Sequence, residues 1–199
     1  MRVAVLASGS GTILQAMVDA GLSIDLLVVD RRCKATAVAQ HAGIEAKVLE
    51  RSTFGEAFDR VGYTRALTDM LVAHDIDLVA MAGFGTILEQ PIYDHYAGRV
   101  LNTHPALLPS FPGWHGVRDA LDYGVKVTGC TVHVATLEVD NGPIRAQEAI
   151  VVLPDDTEAT LHERIKVVVR RLYVGTIKSI IERGHVLESV TASTEEQRR

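Results

Sequence analysis

Cysteine is scarce in this chain: two residues, Cys33 and Cys130, in 199. They form no Cys-x-x-Cys and share no ligand spacing with histidine, so a zinc site has no support and a reducing cytoplasm is the compartment that fits. No apolar run approaches the ~20 residues of a membrane-spanning helix. The N-terminal apolar stretch ends at Ala7, before a serine and a glycine, too short for a secretory core, and is read as a first strand. Positive charge is in deficit, with 20 Lys and Arg against 25 Asp and Glu and a net charge of −5, which argues against a broad nucleic-acid surface. There is no Gly-Lys-Ser/Thr of a P-loop. A dinucleotide fingerprint fails because Leu14 stands where its third glycine belongs. Proline is rare too, six in all, yet Pro105, Pro109 and Pro112 crowd one stretch. No repeat, linker or low-complexity segment breaks the chain.

What is present is ordinary globular material, 47% hydrophobic and 23% charged, enough for a sizeable core. Short apolar runs at 3–7, 24–29, 45–49, 77–82 and 98–103 alternate with helical patterns at 13–20, 35–42, 55–74 and 89–96. Strands this continuously apolar, alternating with helices, predict an α/β fold: a Rossmann-like, mostly parallel sheet covered on both faces. Residues 115–122 read as a short helix. Runs at 127–137 and 144–153 around the turn Asp140-Asn141-Gly142-Pro143 predict a hairpin-like antiparallel extension. A long helix over 157–183 starts at an Asp-Asp-Thr-Glu cap and stops at Gly184. One domain over 1–190 is expected, followed by a polar, frayed tail at 191–199.

Three strand-end features should line one sheet edge. The first is the glycine loop Ser8-Gly9-Ser10-Gly11-Thr12, whose following helix start offers amide donors to an anion; a tight turn without a ligand explains it equally well. The second is the loop 83–88. The third is Asn102-Thr103-His104-Pro105, where the period of a strand puts the amide and the imidazole on one face and Pro105 keeps His104 extended. Asp140 adds a carboxylate. Imidazole, carboxylate and amide together can move a proton and stabilise an oxyanion. No serine or cysteine is placed as a nucleophile, so the attacking group belongs to a substrate such as an amine. His133, in mid-strand, reads as a packed histidine, and the loop bearing Trp114 and His115 as either a lid or a surface excursion.

At these residues the chain resembles the phosphoribosylglycinamide formyltransferase family. The likeness runs from Val3 to about Gly184. It is carried by Asn102-Thr103-His104-Pro105-Ala106-Leu107-Leu108-Pro109 with Pro112-Gly113 and His115-Gly116, by Ala82-Gly83-Phe84 with Ile87-Leu88, by Gly129–His133, by Asp140–Ile144 and by Leu161–Lys166. The resemblance implies formyl transfer from 10-formyltetrahydrofolate, a co-substrate, to the amino group of glycinamide ribonucleotide, an acceptor of purine biosynthesis. It implies Asn102, His104 and Asp140 as catalytic residues and Gly11, Thr12 and Ile13 as the phosphate seat. Folate contacts fall to Arg60, Gly85, Thr86, Ile87, Leu88 and Asn102. The partners implied are these small molecules, with no metal, nucleic acid or membrane; a homodimer stays open.

Three positions depart from the family pattern: Ile13 stands for the usual Asn, Gly85-Thr86 for Met-Arg, and Val169 for a glutamate that contacts the substrate ribose. Lys166, one turn before Val169, is the candidate replacement. Alternative readings are a formyltetrahydrofolate hydrolase and an N-formyltransferase acting on a sugar nucleotide. A methionyl-tRNA formyltransferase would need an RNA-binding domain after Gly184, and a non-catalytic nucleotide binder would not need the polar trio.

Overall fold

A computed structural model gives the fold and describes residues 1–186 except 52, 54 and 56; the expected tail at 191–199 lies outside the described residues. The elements in order are β1 Val3–Ala7, α1 Thr12–Asp19, β2 Leu26–Val29, α2 Ala35–His41, β3 Glu45–Val48, α3 Arg60–Ala73, β4 Leu78–Met81, α4 Gln90–His95, β5 Val100–His104, α5 Gly116–Tyr123, β6 Val127–Val134, β7 Ile144–Val151 and α6 Glu158–Arg183. They build one seven-stranded sheet in the order β3-β2-β1-β4-β5-β6-β7. The first five strands in that order pair in parallel, and β6 and β7 add on antiparallel.

Strand periodicity divides the core. Val3, Val5, Leu27, Val29, Leu78, Ala80 and Leu101 face α1, α2 and α6. Their alternates Ala4, Leu6, Leu26, Val28, Val79, Met81 and Val100 face α3 and α4. Burial on both faces explains why β1, β2 and β4 are apolar throughout. A smaller apolar cluster joins Val117, Cys130 and Ile150 to Leu161, Ile165 and Val169 of α6. Tyr173, fully buried on α6, donates its hydroxyl to the Leu101 carbonyl at 3.0 Å and so fixes β5 one residue before Asn102.

The sheet order reverses direction between β1 and β4, and open α/β sheets place ligands outside the carboxyl ends of strands at such a switch. The glycine loop follows β1, and residues 82–88 follow β4. Backbone bonds stitch these two loops together, from the Ser8 amide to the Gly83 carbonyl at 3.1 Å and from the Ala82 amide to the Leu6 carbonyl at 2.8 Å. Among the described residues, no helix is long and apolar enough to cross a membrane.

The expected helix over 55–74 starts later, at Arg60. Its first turn is set by Asp59, whose side chain accepts the Gly62 amide at 2.8 Å. This explains the glycine in mid-pattern: a Cβ at position 62 would lie 2.2 Å from the Asp59 carboxylate. Exposed helical Gly→Ala exchanges ordinarily gain up to about 1 kcal/mol. Here the methyl group displaces the cap, a loss of about 0.5–2 kcal/mol. Gly62→Ala should therefore lower the unfolding free energy in a urea titration, and a gain would contradict this account of the cap.

Candidate active site

The glycine loop is shaped for close approach. Gly11 caps α1 at φ 74°, and no side chain caps the helix. A Cβ on Gly11 would lie 2.7 Å from the Ala35 Cα, so both backbone angle and space demand glycine. The first amides of α1, at Thr12 and Ile13, carry the positive end of its dipole and suit an anion. Ile13 itself packs against the apolar clusters beneath.

The segment after β4 is held from three sides. Ser8 Oγ accepts the Gly85 amide at 2.7 Å, Arg51 donates to the Gly85 carbonyl at 3.3 Å, and Thr86 Oγ1 donates to Asp30 Oδ2 at 3.0 Å. Asp30 ends β2 with its carboxylate wholly buried. Burial works to raise its pKa, but bonds from Arg31, Ser8 and Thr86 and the Arg31 charge outweigh that and hold it below the usual carboxylate value. Within 85–88, Thr86 and Leu88 face inward, 1% and 2% exposed, whereas Ile87 is 45% exposed. The surface offered to a ligand is therefore Ile87 and the backbone at Gly85. Leu88, expected to touch folate, is a core residue.

Beyond β5, a connected polar chain crosses two strands and a turn. His104 Nδ1 lies 3.2 Å from Asp140 Oδ2, with both side chains about 5% exposed or less. Asp140 Oδ1 lies 3.5 Å from His133 Nε2, and His133 Nε2 lies 3.3 Å from Asn102 Nδ2. His133 reaches Asn102 because β5 and β6 pair with these two residues opposite each other. His133 Nδ1 faces the Val134 carbonyl at 3.1 Å, which leaves Nε2 to accept from the Asn102 amide NH2 and the second amide hydrogen unused by this pairing. The structure thus brings Asp140 directly to His104 and links Asn102 to both through His133. His133 is packed, as its strand position suggests, at 1% exposure, but it is also part of this chain. The signal available in the sequence was its strand face, opposite that of Cys130.

Asp140 sits at φ 58° in its turn. Its carboxylate also accepts the Gly113 amide at 2.8 Å. Desolvation pushes its pKa up, yet the bonds from His104, His133 and Gly113 and the His104 charge prevail, and the group lies well below the ordinary range. The other ring nitrogen, His104 Nε2, lies 2.7 Å from the Phe111 carbonyl. Each ring nitrogen of His104 thus faces an oxygen acceptor. The loop itself is anchored on β6 and β7: Thr131 Oγ1 donates to the Ala106 carbonyl at 2.7 Å and accepts the Leu108 amide at 3.0 Å, and Gln147 donates to the Leu108 carbonyl at 2.8 Å.

The remaining sequence candidates lie elsewhere. Arg60, at the start of α3, is half exposed and pairs with Glu89 at 3.5 Å. Lys166 pairs with Glu163 at 2.7 Å on the outer side of α6. Val169 is 8% exposed and belongs to the apolar cluster that Ile13 also meets. Asp30 and Arg31 were not singled out in the sequence, and Ser8 only as the first residue of the glycine loop; an acid and an arginine after a strand look like any solvated loop until strand order sets them beside segment 83–88. Among the described residues, no His, Cys, Asp and Glu cluster could hold a metal ion.

A family profile described as formyl transferase matches residues 1–177. The phosphoribosylglycinamide formyltransferase of Mycobacterium tuberculosis (strain H37Rv) is 43% identical over 197 residues, covering 96% of this chain and 90% of that protein. The human trifunctional purine biosynthetic protein adenosine-3 is 38% identical over 186 residues, which is 90% of this chain and 18% of that longer protein. In three dimensions, glycinamide ribonucleotide transformylase 1 from Symbiobacterium toebii superimposes with a TM-score of 0.87 at 37% identity, covering 95% of this chain and 91% of that one.

The carboxylate at 140 makes a prediction for acid stability. A depressed folded-state pKa contributes stability above the unfolded value, about 3.9, which is lost as pH falls from there toward the folded value. Asp140→Asn should flatten the dependence of unfolding free energy on pH below about 4 relative to the parent protein; parallel curves would mean that the Asp140 contacts do not form in solution.

Proposed function

The chain belongs to the formyl transferase family, among the phosphoribosylglycinamide formyltransferases, and we propose that it moves the formyl group of 10-formyltetrahydrofolate to the primary amine of glycinamide ribonucleotide in purine biosynthesis. The observation that carries this reading is the His104–Asp140 contact at 3.2 Å, on the sheet edge where the glycine loop and segment 83–88 also emerge. The formyl donor supplies an activated carbonyl carbon and a nitrogen leaving group. The amine comes from the acceptor, in keeping with the lack of a side-chain nucleophile.

Asp140 holds the His104 imidazolium by charge and by hydrogen bond. His104 Nε2–H and the Asn102 amide donate to the oxygen that gains charge as the amine adds. His104 then delivers its Nε2 proton to the departing folate nitrogen, and the proton shed by the attacking amine restores the balance. His133 keeps Asn102 and Asp140 in register. Because the Phe111 carbonyl holds Nε2 at 2.7 Å, this sequence requires the loop after Pro109 to release it when the ligands bind. Thr12 and Ile13 amides receive the phosphate, and the Gly85 backbone with Ile87 borders the pteridine. Arg60, paired with Glu89 just after segment 85–88, meets the folate carboxylates by exchanging that pairing. The chemistry asks for no metal, and a cytoplasmic setting suits its substrates.

Acceptor recognition is narrower. With Ile13 and Val169 joined in apolar packing and Lys166 turned to Glu163, the α6 side offers the ribose no polar group from Val169. The amine and the phosphate are left as the recognised groups.

Purified protein given 10-formyltetrahydrofolate should release tetrahydrofolate only when glycinamide ribonucleotide is present. Release without the amine would indicate a hydrolase, and no release with it would remove the assignment. His104→Ala and Asp140→Asn should each lower kcat by about a hundredfold to ten-thousandfold while the KM values stay near those of the parent; near-normal turnover would exclude the residue from proton transfer.

A further inference from the structure

The glycine loop and segment 83–88 share a neighbour that the mechanism above leaves unused. Arg31 follows β2 in the loop 30–34, which leads into α2, whose first amide, at Ala35, donates to the Gly9 carbonyl of the glycine loop at 3.1 Å. Arg31 is gripped at two points by the buried carboxylate of Asp30, Nε at 3.1 Å from Oδ1 and Nη2 at 3.3 Å from Oδ2. Its side chain is nevertheless 45% exposed. Nη2 lies 3.5 Å from the point a Cβ on Gly85 would occupy, with Ser8 Oγ at 3.6 Å and the Trp114 ring at 3.7 Å from the same point. A guanidinium, a hydroxyl and an exposed indole thus meet over a residue without a side chain, in the segment that borders the donor and beside the first residue of the glycine loop.

We propose that Arg31 is a specificity-determining residue that takes the acceptor's phosphate, oriented by Asp30 and walled by Trp114. The inference rests on the acceptor being a phosphorylated amine. A dianion seated on the first amides of α1 needs more positive charge than a helix terminus supplies, about half an elementary charge. The Ile13 side chain adds no polar group to the backbone amides there. The loop 30–34 carries Arg31, Arg32 and Lys34 against the single acid Asp30, three positive charges against one negative. The planar guanidinium fork, already fixed in orientation, matches phosphate geometry better than a flexible ammonium. Asp30 is then a positioning residue with two dependants, Arg31 on one side and Thr86 on the other, so the anion site and the donor segment are set by one carboxylate.

The test is Arg31→Met, assayed with glycinamide ribonucleotide and with the same acceptor lacking its phosphate. The KM for the phosphorylated acceptor should rise about ten- to a hundredfold. Turnover at saturation and the KM for the folate should hold, and the preference for the phosphorylated acceptor should collapse. Arg31→Lys should recover part of the preference. Calorimetric titration with ribose 5-phosphate, which needs no turnover, should show the same loss of affinity. An unchanged KM, an equal effect on both acceptors, or an effect confined to the folate would each overturn the proposal. Parent protein that binds ribose 5-phosphate through Arg31 but transfers no formyl group would instead overturn the assigned reaction and leave Arg31 standing as an anion site.

Discussion

The buried carboxylate of Asp140 is the contact on which the site depends. It meets His104 at 3.2 Å, His133 at 3.5 Å and the Gly113 amide at 2.8 Å. One oxygen serves the end of β5 and the proline-rich loop, and the other serves β6. A charge out of water is tolerable only when its neighbours replace the lost hydration, and here those neighbours are the groups the chemistry uses. Removing the carboxylate would release the imidazole, the loop and the second histidine together. Keeping it ionised requires donors on every side, which is why a histidine pair and a loop amide converge on a turn residue held at positive φ.

Sheet order does the rest of the assembly. Reversal between β1 and β4 opens a crevice at the carboxyl ends of the strands, and the loops that border it are tied across strands: Ser8 to Gly85, Arg51 to Gly85, Asp30 to Thr86. The antiparallel addition of β6 and β7 has a separate purpose. It brings Thr131 and Gln147 under the loop after His104 and puts His133 opposite Asn102. The parallel part of the sheet carries the glycine loop and segment 83–88, and the antiparallel part with its turn holds His133 and Asp140 against Asn102 and His104. The Phe111 carbonyl, on Nε2 of His104 at 2.7 Å, is a contact that the proposed reaction must break.

Much of this was legible in the residues because it is written locally. Apolar runs alternating with helical patterns identify the parallel sheet. Gly11 marks the tight turn before α1, and the spacing of Asn102 and His104 puts them on one face of one strand. What was not legible depends on pairing between distant segments. His133 looked like a core histidine because nothing nearby in the chain reveals that Asn102 lies across from it. That the Leu88 side chain turns inward beneath α3 and α4 depends on packing between distant segments. Nothing near Asp30 in the chain reveals its role, since the burial of its carboxylate and its grip on Thr86 arise only when β2, β1 and β4 lie side by side. The late start of α3 was hidden for a smaller reason: the cap at Asp59 depends on a glycine three residues on, which a periodicity argument counts as a weakness.

The most direct measurement is a crystal structure of the protein with glycinamide ribonucleotide and a folate analogue that cannot give up its one-carbon group. The account predicts that Asp140 keeps its contact with His104, that the Phe111 carbonyl leaves His104 Nε2, and that Nε2 comes within hydrogen-bond reach of the folate nitrogen that bears the formyl group in the true substrate. Both ligands bound with Nε2 still on the Phe111 carbonyl, or with Asp140 turned away from the ring, would contradict it.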